Sequence, residues 1–118
     1  MTDYDRFDVL TALFPFIDVP VRKPRPVLVL SARSFNALHG HVVAAMITTG
    51  AGSRWPSDCA ITDLTAAGLG HASVVRLKVF TLAETQIGRR IGRLSEADEV
   101  RFAAVLNPAL CGANLTSP

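Results

Sequence analysis

The sequence predicts a mainly β fold with one C-terminal helix, in a single domain that spans residues 1–118. Five short runs of apolar and β-branched residues are separated by stretches rich in proline, glycine and charge, a pattern typical of short strands joined by turns. The signature Ser95-Glu96-Ala97-Asp98 then predicts the start of a helix. With 49% hydrophobic residues, the chain has enough core to fold without disulfides or metals. We therefore expect a small, strongly curved antiparallel barrel with a helix packed against it.

The first half of the chain predicts three strands. Residues 7–14 are apolar and interrupted by polar positions, and residues 15–26 hold four prolines, which predicts a strand followed by a semi-rigid surface loop. Residues 27–31 predict the second strand, and residues 41–49, rich in Val, Ile and Ala, predict a buried third strand. Between these two strands, residues 32–40 predict a short connection with one helical turn that a glycine ends.

The second half predicts two more strands. Residues 50–53 predict a flexible glycine-containing loop, which a Trp-Pro corner follows. Residues 58–63 predict a short fourth strand, and residues 64–72, with two glycines, predict a turn. Residues 73–82 carry the strongest strand pattern in the chain, and residues 88–93 predict an arginine-rich turn.

The C-terminal helix is predicted to run from Ser95 to about Leu106, because apolar residues there recur at helical spacing. Pro108 and Gly112 are the signals that end it. The face predicted to pack on the sheet consists of Val100, Ala103, Leu106 and Leu110.

The basic residues are mostly arginines, ten of the twelve. Arginine suits planar, bidentate contacts to phosphate or carboxylate, whereas lysine acts more as a point charge. A GC-rich genome produces the same bias, and a formal net charge of +2 does not by itself indicate a nucleic-acid-binding protein. Charge alone therefore leaves the partner open.

Several classes of site lack support in the sequence. Cys59 and Cys111 are too far apart and too poorly accompanied by histidine for a zinc site. The three histidines have no spacing that builds a metal site or a nucleophile–histidine pair, so we expect no metal and no cofactor. No secretory signal opens the chain, and no run approaches the about 20 apolar residues of a membrane span, so we expect a cytoplasmic, reduced protein with no membrane partner.

Arginine, lysine and threonine side chains form the candidate site instead. Arg25 is held between two prolines directly before a predicted core strand. Thr48 and Thr49 end the third predicted strand, beside the glycine loop. Arg76 and Lys78 lie inside the fifth predicted strand, where alternation places them on one face.

Two cations on one face of an apolar strand are costly to bury without anions. One interpretation is that Arg76 and Lys78 bind a phosphate. The alternatives are that this face is solvated, or that its cations pair with Asp58 or Asp63. The sequence alone leaves these interpretations open.

Several short segments follow one another in a characteristic order and spacing. They are Phe14-Pro15-Phe16-Ile17-Asp18, Arg25-Pro26-Val27-Leu28-Val29-Leu30-Ser31 with Asn36, Ala45-Met46-Ile47-Thr48, Pro56-Ser57-Asp58, Ala67-Gly68-Leu69 and Ser73-Val74-Val75-Arg76-Leu77. Through these segments the chain, from residue 7 to residue 110, resembles the PemK/MazF-type toxins of type II toxin–antitoxin systems. The resemblance implies an SH3-like barrel with a C-terminal helix. It also implies a homodimeric, growth-inhibiting endoribonuclease that cleaves single-stranded RNA without metal and that a cognate antitoxin inhibits, binding DNA when complexed with that antitoxin.

The resemblance also implies roles for individual residues. Arg25 and Thr48 match the catalytic arginine and threonine of the family, and Arg76 matches an arginine that part of the family uses in catalysis. The candidate substrate contacts are Thr49, Ser53 and Lys78. The assignment suits RNA, which carries its own nucleophile in the 2′-hydroxyl group, so that the protein has mainly to stabilise charge and move protons.

The chain departs from the family pattern at two positions. Lys78 stands where related toxins often carry an acid that can serve as a base, and Phe7 stands where they commonly have a glycine. The lysine favours phosphate binding but removes a proton acceptor. It therefore also supports an alternative function, a non-catalytic toxin or binding module of the same fold that acts on a protein or nucleic-acid target.

Overall fold

The computed structural model describes residues 3–13, 23–49 and 54–112. Six strands and three α-helices lie within these ranges. In chain order they are β1 (Asp8–Ala12), β2 (Arg25–Val29), α1 (Arg33–His39), β3 (His41–Thr48), β4 (Cys59–Ala60), α2 (Leu64–Ala67), β5 (Val74–Ala83), β6 (Ile87–Arg93) and α3 (Glu96–Leu110). A single 3-10 turn, Glu84–Gln86, joins β5 to β6. No helix within the described ranges is long and apolar enough to span a membrane.

The strands form one antiparallel sheet with the order β4-β5-β3-β2-β1-β6. This arrangement confirms the predicted mainly β fold with a C-terminal helix. Over the described residues the sheet is open, with β4 and β6 at its two edges, so that the predicted barrel is not closed there. Closure requires a further ladder between the edge strands.

Both faces of the sheet are buried at its centre. On β2, Leu28 belongs to one apolar cluster, while Val27 and Val29 belong to a second one on the opposite face, as strand alternation requires. Phe102 and Leu106 of α3 pack into the first cluster. The second cluster consists of Leu10, Ala12, Val27, Val29, Val42, Ala44 and Leu82, with Tyr4, Phe80 and Ile87 packed against it.

Local sequence signals placed several elements correctly. The predicted helical turn is α1, and Gly40 ends it in the left-handed conformation with φ 61°. Residues 41–49 and 73–82 correspond to β3 and β5 within one residue at each end. The predicted loop at residues 15–26 is described only from residue 23 onward, where residues 25 and 26 belong to β2, and the predicted loop at residues 50–53 lies outside the described residues.

Two segments predicted as turns are regular elements. Residues 88–93 belong to β6, the sixth strand, and residues 64–67 form α2, which the Asp63 side chain caps by accepting from the Ala66 backbone N–H. The turn prediction was wrong for residues 88–93 and 64–67, and it is confirmed for residues 68–72, where Gly68 caps α2 in the left-handed conformation. Two glycines in these segments also serve close packing. A Cβ atom at Gly68 would overlap the Ile91 carbonyl, and one at Gly92 would overlap the backbone of Ala67. These glycines let α2 lie directly on β6.

Three boundaries also differ from the prediction. The second strand begins at Arg25 and ends at Val29, two residues earlier at each end than expected, and β4 has only two residues. Helix α3 continues through Pro108 to Leu110. Its buried face is Asp98, Phe102 and Leu106, whereas Val100 and Leu110 are each 65% exposed. The apolar residues at positions 100 and 110 are therefore not core residues.

Phe7 adopts the left-handed conformation that normally favours glycine, with φ 73°. Its backbone is hydrogen-bonded to two other segments, since its N–H donates to the Val29 carbonyl at 2.7 Å and its carbonyl accepts from the Leu94 N–H at 3.1 Å. Its buried ring packs edge-on against Phe102, with 6.3 Å between the centroids. Burial of this aromatic ring offsets the backbone strain, of order 1–2 kcal/mol, that a glycine would avoid.

Asp98 joins the start of α3 to the segment that follows β4. Its buried carboxylate accepts hydrogen bonds from the backbone N–H groups of Thr62 and Asp63, from the Thr62 hydroxyl and from Arg101. Burial alone would raise the pKa of this carboxyl, but the hydrogen bonds from Asp63, Thr62 and Arg101 together hold the pKa well below its ordinary value. The group is therefore ionised at neutral pH and fixes the position of the helix.

We expect Asp98→Asn to lower the free energy of unfolding by about 3 kcal/mol at neutral pH, measured by urea denaturation, because the amide nitrogen cannot accept these bonds. The folded-state pKa lies below the unfolded one, so the carboxylate stabilises the fold above about pH 4 and loses this effect as the pH falls. The stability difference between wild type and variant should shrink below about pH 4. Glu96→Gln, an exposed change in the same helical turn, is the control, and a difference that stays constant with pH would contradict the assignment.

Candidate functional site

Three of the predicted site residues lie at one end of the sheet, on the same face. Val27 of β2 lies opposite Met46 of β3. The same register, carried two residues further, sets Arg25 opposite Thr48. On the other side of β3, Arg76 of β5 lies opposite Met46. Opposed residues of an antiparallel pair face the same way with Cα atoms about 5 Å apart, so Arg25 is expected next to Thr48. Arg76 lies on the same face, on the other side of β3 and two residues along it.

A bulge in β5 lies directly beside this cluster. Ala45 lies opposite Val79, but the next residue of β3, Met46, lies opposite Arg76, so that Leu77 and Lys78 have no partner on β3. Because the bulge inserts two residues, an even number, the alternation of side chains between the two faces of the sheet is the same before and after it. Lys78 is exposed within the bulge. Its predicted position on the same face as Arg76 stays a prediction, since no ladder pair defines it.

Arg25 is the first residue of β2, and its side chain is exposed. Within the described parts of the chain, it makes no ion pair and no side-chain hydrogen bond. Its backbone is fixed from both sides, because β1 pairs with it at Ala12 and prolines flank it in the sequence. A permanently charged group is thus presented to solvent on a rigid strand.

The other predicted residues take different positions. Thr48 is half-buried at the end of β3, opposite Val74, and Thr49 is exposed directly after it. Ser53 lies outside the described residues. The structure therefore brings Thr48 and Thr49 to the end of the sheet that carries Arg25, and it does not describe the predicted contact at position 53.

Arg76 is paired with Asp58. Its Nε donates to Asp58 Oδ1 at 3.1 Å and its Nη2 donates to Oδ2 at 2.8 Å, a bidentate pair whose side chains are only 12% and 8% exposed. Cys59 of β4 lies opposite Val75, so Asp58 follows in the same register opposite Arg76. Of the two acidic partners considered from the sequence, Asp58 forms the ion pair, whereas Asp63 caps α2.

Trp55 completes this arrangement. The Asp58 N–H donates to the Trp55 carbonyl at 3.0 Å, and the Trp55 N–H donates to Asp58 Oδ2 at 3.1 Å, which closes a tight turn. The Arg76 Cζ atom lies 5.6 Å from the centroid of the Trp55 ring, a cation–π contact. The indole is 41% exposed. It therefore lies beside a fixed guanidinium and keeps a large part of its surface in solvent.

The two arginines differ in electrostatic state. The Arg76 guanidinium lowers the pKa of the Asp58 carboxyl from its ordinary value, against the opposing effect of burial, and the Trp55 N–H adds to the lowering. The same hydrogen bond raises the pKa of Arg76. Asp58 is therefore ionised at neutral pH and is a poor proton acceptor, and the Asp58–Arg76 pair has no net charge. Arg25 has no such compensation among the described residues.

From the sequence, Asp58 was a candidate ion-pair partner and Trp55 was part of a predicted corner, and no contact between them was predicted. The tetrapeptide Trp55-Pro56-Ser57-Asp58 could have predicted this contact. Proline favours the second position of a β-turn, and an aspartate side chain can accept a hydrogen bond from the turn backbone. The turn explains why these side chains meet. It does not predict that Arg76 would be their partner.

The three histidines, His39, His41 and His71, are exposed. His41 Nδ1 lies 2.7 Å from the His39 carbonyl oxygen. Over residues 3–13, 23–49 and 54–112, no three His, Cys, Asp or Glu side chains are grouped so that they could hold a metal ion.

Comparisons with known proteins agree on the fold. The sequence profile of the family described as PemK-like, MazF-like toxin of type II toxin-antitoxin system matches residues 5–110. A solved endoribonuclease in complex with its cognate antitoxin, from Mycobacterial species, is 19% identical, with a TM-score of 0.71 over 97% of this chain and 98% of its own. MazF from Deinococcus radiodurans is 19% identical, with a TM-score of 0.71 over 95% of this chain and 99% of its own. The Mycobacterium tuberculosis toxin MazF-mt6 is 23% identical, with a TM-score of 0.69 over 91% of this chain and 98% of its own. The curated proteins include no match.

We expect Asp58→Asn to lower the thermal unfolding midpoint and to loosen the contact between Arg76 and Trp55, because the neutral amide cannot hold the guanidinium bidentately. Trp55 is the only tryptophan in the chain, so its fluorescence reports on this site alone. Its accessibility to acrylamide should rise in the variant. Asp63→Asn removes the same charge at the cap of α2 and should leave the fluorescence unchanged. Equal fluorescence changes in both variants would contradict a specific role for Asp58.

Proposed function

Because the chain belongs to the PemK-like, MazF-like toxins of type II toxin–antitoxin systems, we propose that it is an endoribonuclease toxin that cleaves single-stranded RNA without a metal ion. The observation that carries this proposal is the exposed Arg25 on β2, which forms no ion pair among the described residues and lies in the strand next to the end of β3 that carries Thr48. The proposal includes a cytoplasmic location, a homodimeric state and a cognate antitoxin as inhibitor. The solved endoribonuclease complex with its antitoxin supports the last point.

The proposed reaction uses the nucleophile that RNA itself supplies. The 2′-oxygen attacks the adjacent phosphorus, the bond from phosphorus to the 5′-oxygen of the next nucleotide breaks, and a cyclic phosphate remains on the upstream fragment. The proton of the 2′-hydroxyl is lost to a base, and the departing 5′-oxygen gains one. The protein must stabilise the negative charge that grows on the phosphate oxygens in between.

Arg25 is suited to that electrostatic role. Its guanidinium is charged at every relevant pH, and it offers several N–H donors in a plane that matches phosphate oxygens. Thr48, with a hydroxyl group about one strand spacing away, donates a hydrogen bond to the same phosphate in this proposal. Pre-positioned donors of this kind are each worth about 3–4 kcal/mol of transition-state stabilisation.

Arg76 takes a third position around the phosphate in the proposed mechanism. Its bidentate pair with Asp58 fixes the direction of the guanidinium before RNA binds, which reduces the ordering that the reaction requires. The proposed contacts to the rest of the RNA strand come from Thr49, Ser53 and Lys78. Because Asp58 is paired and Lys78 replaces the acid found in related toxins, the proposal relies on charge stabilisation and assigns no carboxylate as the base.

Lys78 and the Asp58–Arg76 pair also favour a second candidate function. A site whose described residues include no free acid, and in which one arginine is neutralised, can bind RNA or a protein target without cleaving anything. Intact RNA after long incubation, together with retained RNA binding, would support this alternative. Cleavage of single-stranded RNA in a chelating buffer would reject it.

We expect Arg25→Ala to reduce the rate of RNA cleavage by about 10²- to 10³-fold, measured by single-turnover kinetics, because a phosphate-stabilising donor is lost. Arg89→Ala removes an exposed arginine from edge strand β6 and should cleave at the wild-type rate. A 2′-deoxy nucleotide at the cut position should abolish cleavage by the wild type. Continued cutting of that substrate would reject 2′-hydroxyl attack.

We expect Lys78→Ala to weaken binding of single-stranded RNA and to reduce the magnitude of its salt dependence. Each lost phosphate contact lowers the slope of log affinity against log salt by about 0.7 for a single strand. Lys78→Arg keeps the charge and should keep the slope. The measurement is a salt titration of affinity by fluorescence anisotropy with a labelled, cleavage-resistant RNA. An unchanged slope in Lys78→Ala would remove this residue from the proposed binding surface.

A further inference from the structure

We propose that Trp55 is a stacking platform for an RNA base next to the cleaved phosphate, an inference that rests on the function proposed above. Trp55 was not among the predicted site residues. The chain has one tryptophan, and the structure leaves it 41% exposed at the end of the sheet that carries the phosphate-binding candidates. Exposed aromatic side chains beside cationic grooves are how proteins hold the bases of single-stranded nucleic acids.

The indole is held in a defined position before any ligand binds. Two hydrogen bonds join Trp55 and Asp58 in both directions across the turn, at 3.0 and 3.1 Å. Asp58 in turn holds Arg76, whose guanidinium lies against the indole ring. A base that stacks on this ring orders little that is not ordered already, which favours binding.

The position of the indole relative to the phosphate candidates follows from the strand register. Arg76 lies opposite Met46, two residues before Thr48 and on the same face. Arg25 lies opposite Thr48 in the continued β2–β3 register. Arg76 lies on the other side of β3 from Arg25. A phosphate held between Arg25 and Thr48 therefore lies about two residues along β3 and more than one strand spacing across it, roughly 10 Å from the Arg76 Cα atom. That separation is about one to two nucleotides along an RNA strand, so the base of a nearby nucleotide can reach the indole.

The neighbouring arginine suits the indole to this task. A guanidinium on a tryptophan ring is attracted to the ring quadrupole, and arginine planes also stack with bases. A base placed on the exposed part of the ring would extend the existing contact between Arg76 and Trp55 into a stack of three planar groups. Every base has a π-face, so this contact tolerates different bases and adds affinity at one position of the strand.

The test compares two short single-stranded probes that carry the same number of phosphates. One is a mixed-sequence 2′-O-methyl RNA, which resists cleavage, and the other is its abasic analogue. The base-containing probe should quench Trp55 fluorescence, whereas the abasic probe should bind with little quenching. Trp55→Leu should lower the affinity for the base-containing probe by about tenfold and leave the affinity for the abasic probe unchanged. Trp55→Phe should retain most of the affinity for both probes.

Phe35→Ala, a change at another partly exposed aromatic residue on α1, is the matched control and should bind both probes as the wild type does. Equal quenching by the two probes, or an equal loss of both affinities in Trp55→Leu, would overturn the proposal, because Trp55 would then act only by supporting Arg76. These binding readouts do not depend on cleavage. A wild-type protein that shows the base-dependent quenching but cuts no RNA would reject the endoribonuclease and leave the stacking site standing.

Discussion

β3 pairs with β2 on one side and with β5 on the other, and a one-residue slip in either ladder would turn a whole set of side chains to the opposite face of the sheet. Both faces are buried near the centre, so the apolar clusters hold the register on each side. The ends of the same three strands carry Arg25, Thr48 and Arg76. The spacing of the candidate site is therefore a consequence of core packing several residues away.

The same end of the sheet holds two arginines in opposite electrostatic states. Arg76 is nearly buried and balanced by Asp58, so it contributes a fixed direction and little net charge. Arg25 is exposed, and among the described residues no anion balances it. In the proposed mechanism the paired arginine contributes a fixed direction, whereas Arg25, which has no ion pair among the described residues, contributes the net positive charge that attracts an anion.

Local signals predicted the elements whose pattern depends on neighbouring residues. The alternation of β3 and β5, the glycine that ends α1 and the Ser95 cap of α3 are of this kind. Strand β6 was missed because its glycines indicate turns locally, whereas Gly92 serves close packing against α2. Helix α2 was missed because it has only four residues and Gly68 ends it in a turn. The Asp58–Arg76 pair joins residues 18 positions apart through the β4–β5 register, which a single sequence cannot show. The resemblance named Arg25, Thr48 and Arg76, but neither it nor the local pattern assigned a role to Trp55.

The pairing of β1 with β6 governs when the molecule can become complete. Asp8 lies opposite Arg93, and the Arg93 side chain donates to the Asp8 carboxylate across 85 positions of sequence. During synthesis β1 therefore gains its outer neighbour only after β6 has been made, and α3, which packs on the core, follows β6 in the chain. Contacts of such long range slow folding relative to that of a helical protein, whose contacts are local. The sheet of a nascent chain thus stays incomplete on the outer side of β1 long after β1 itself has been synthesised.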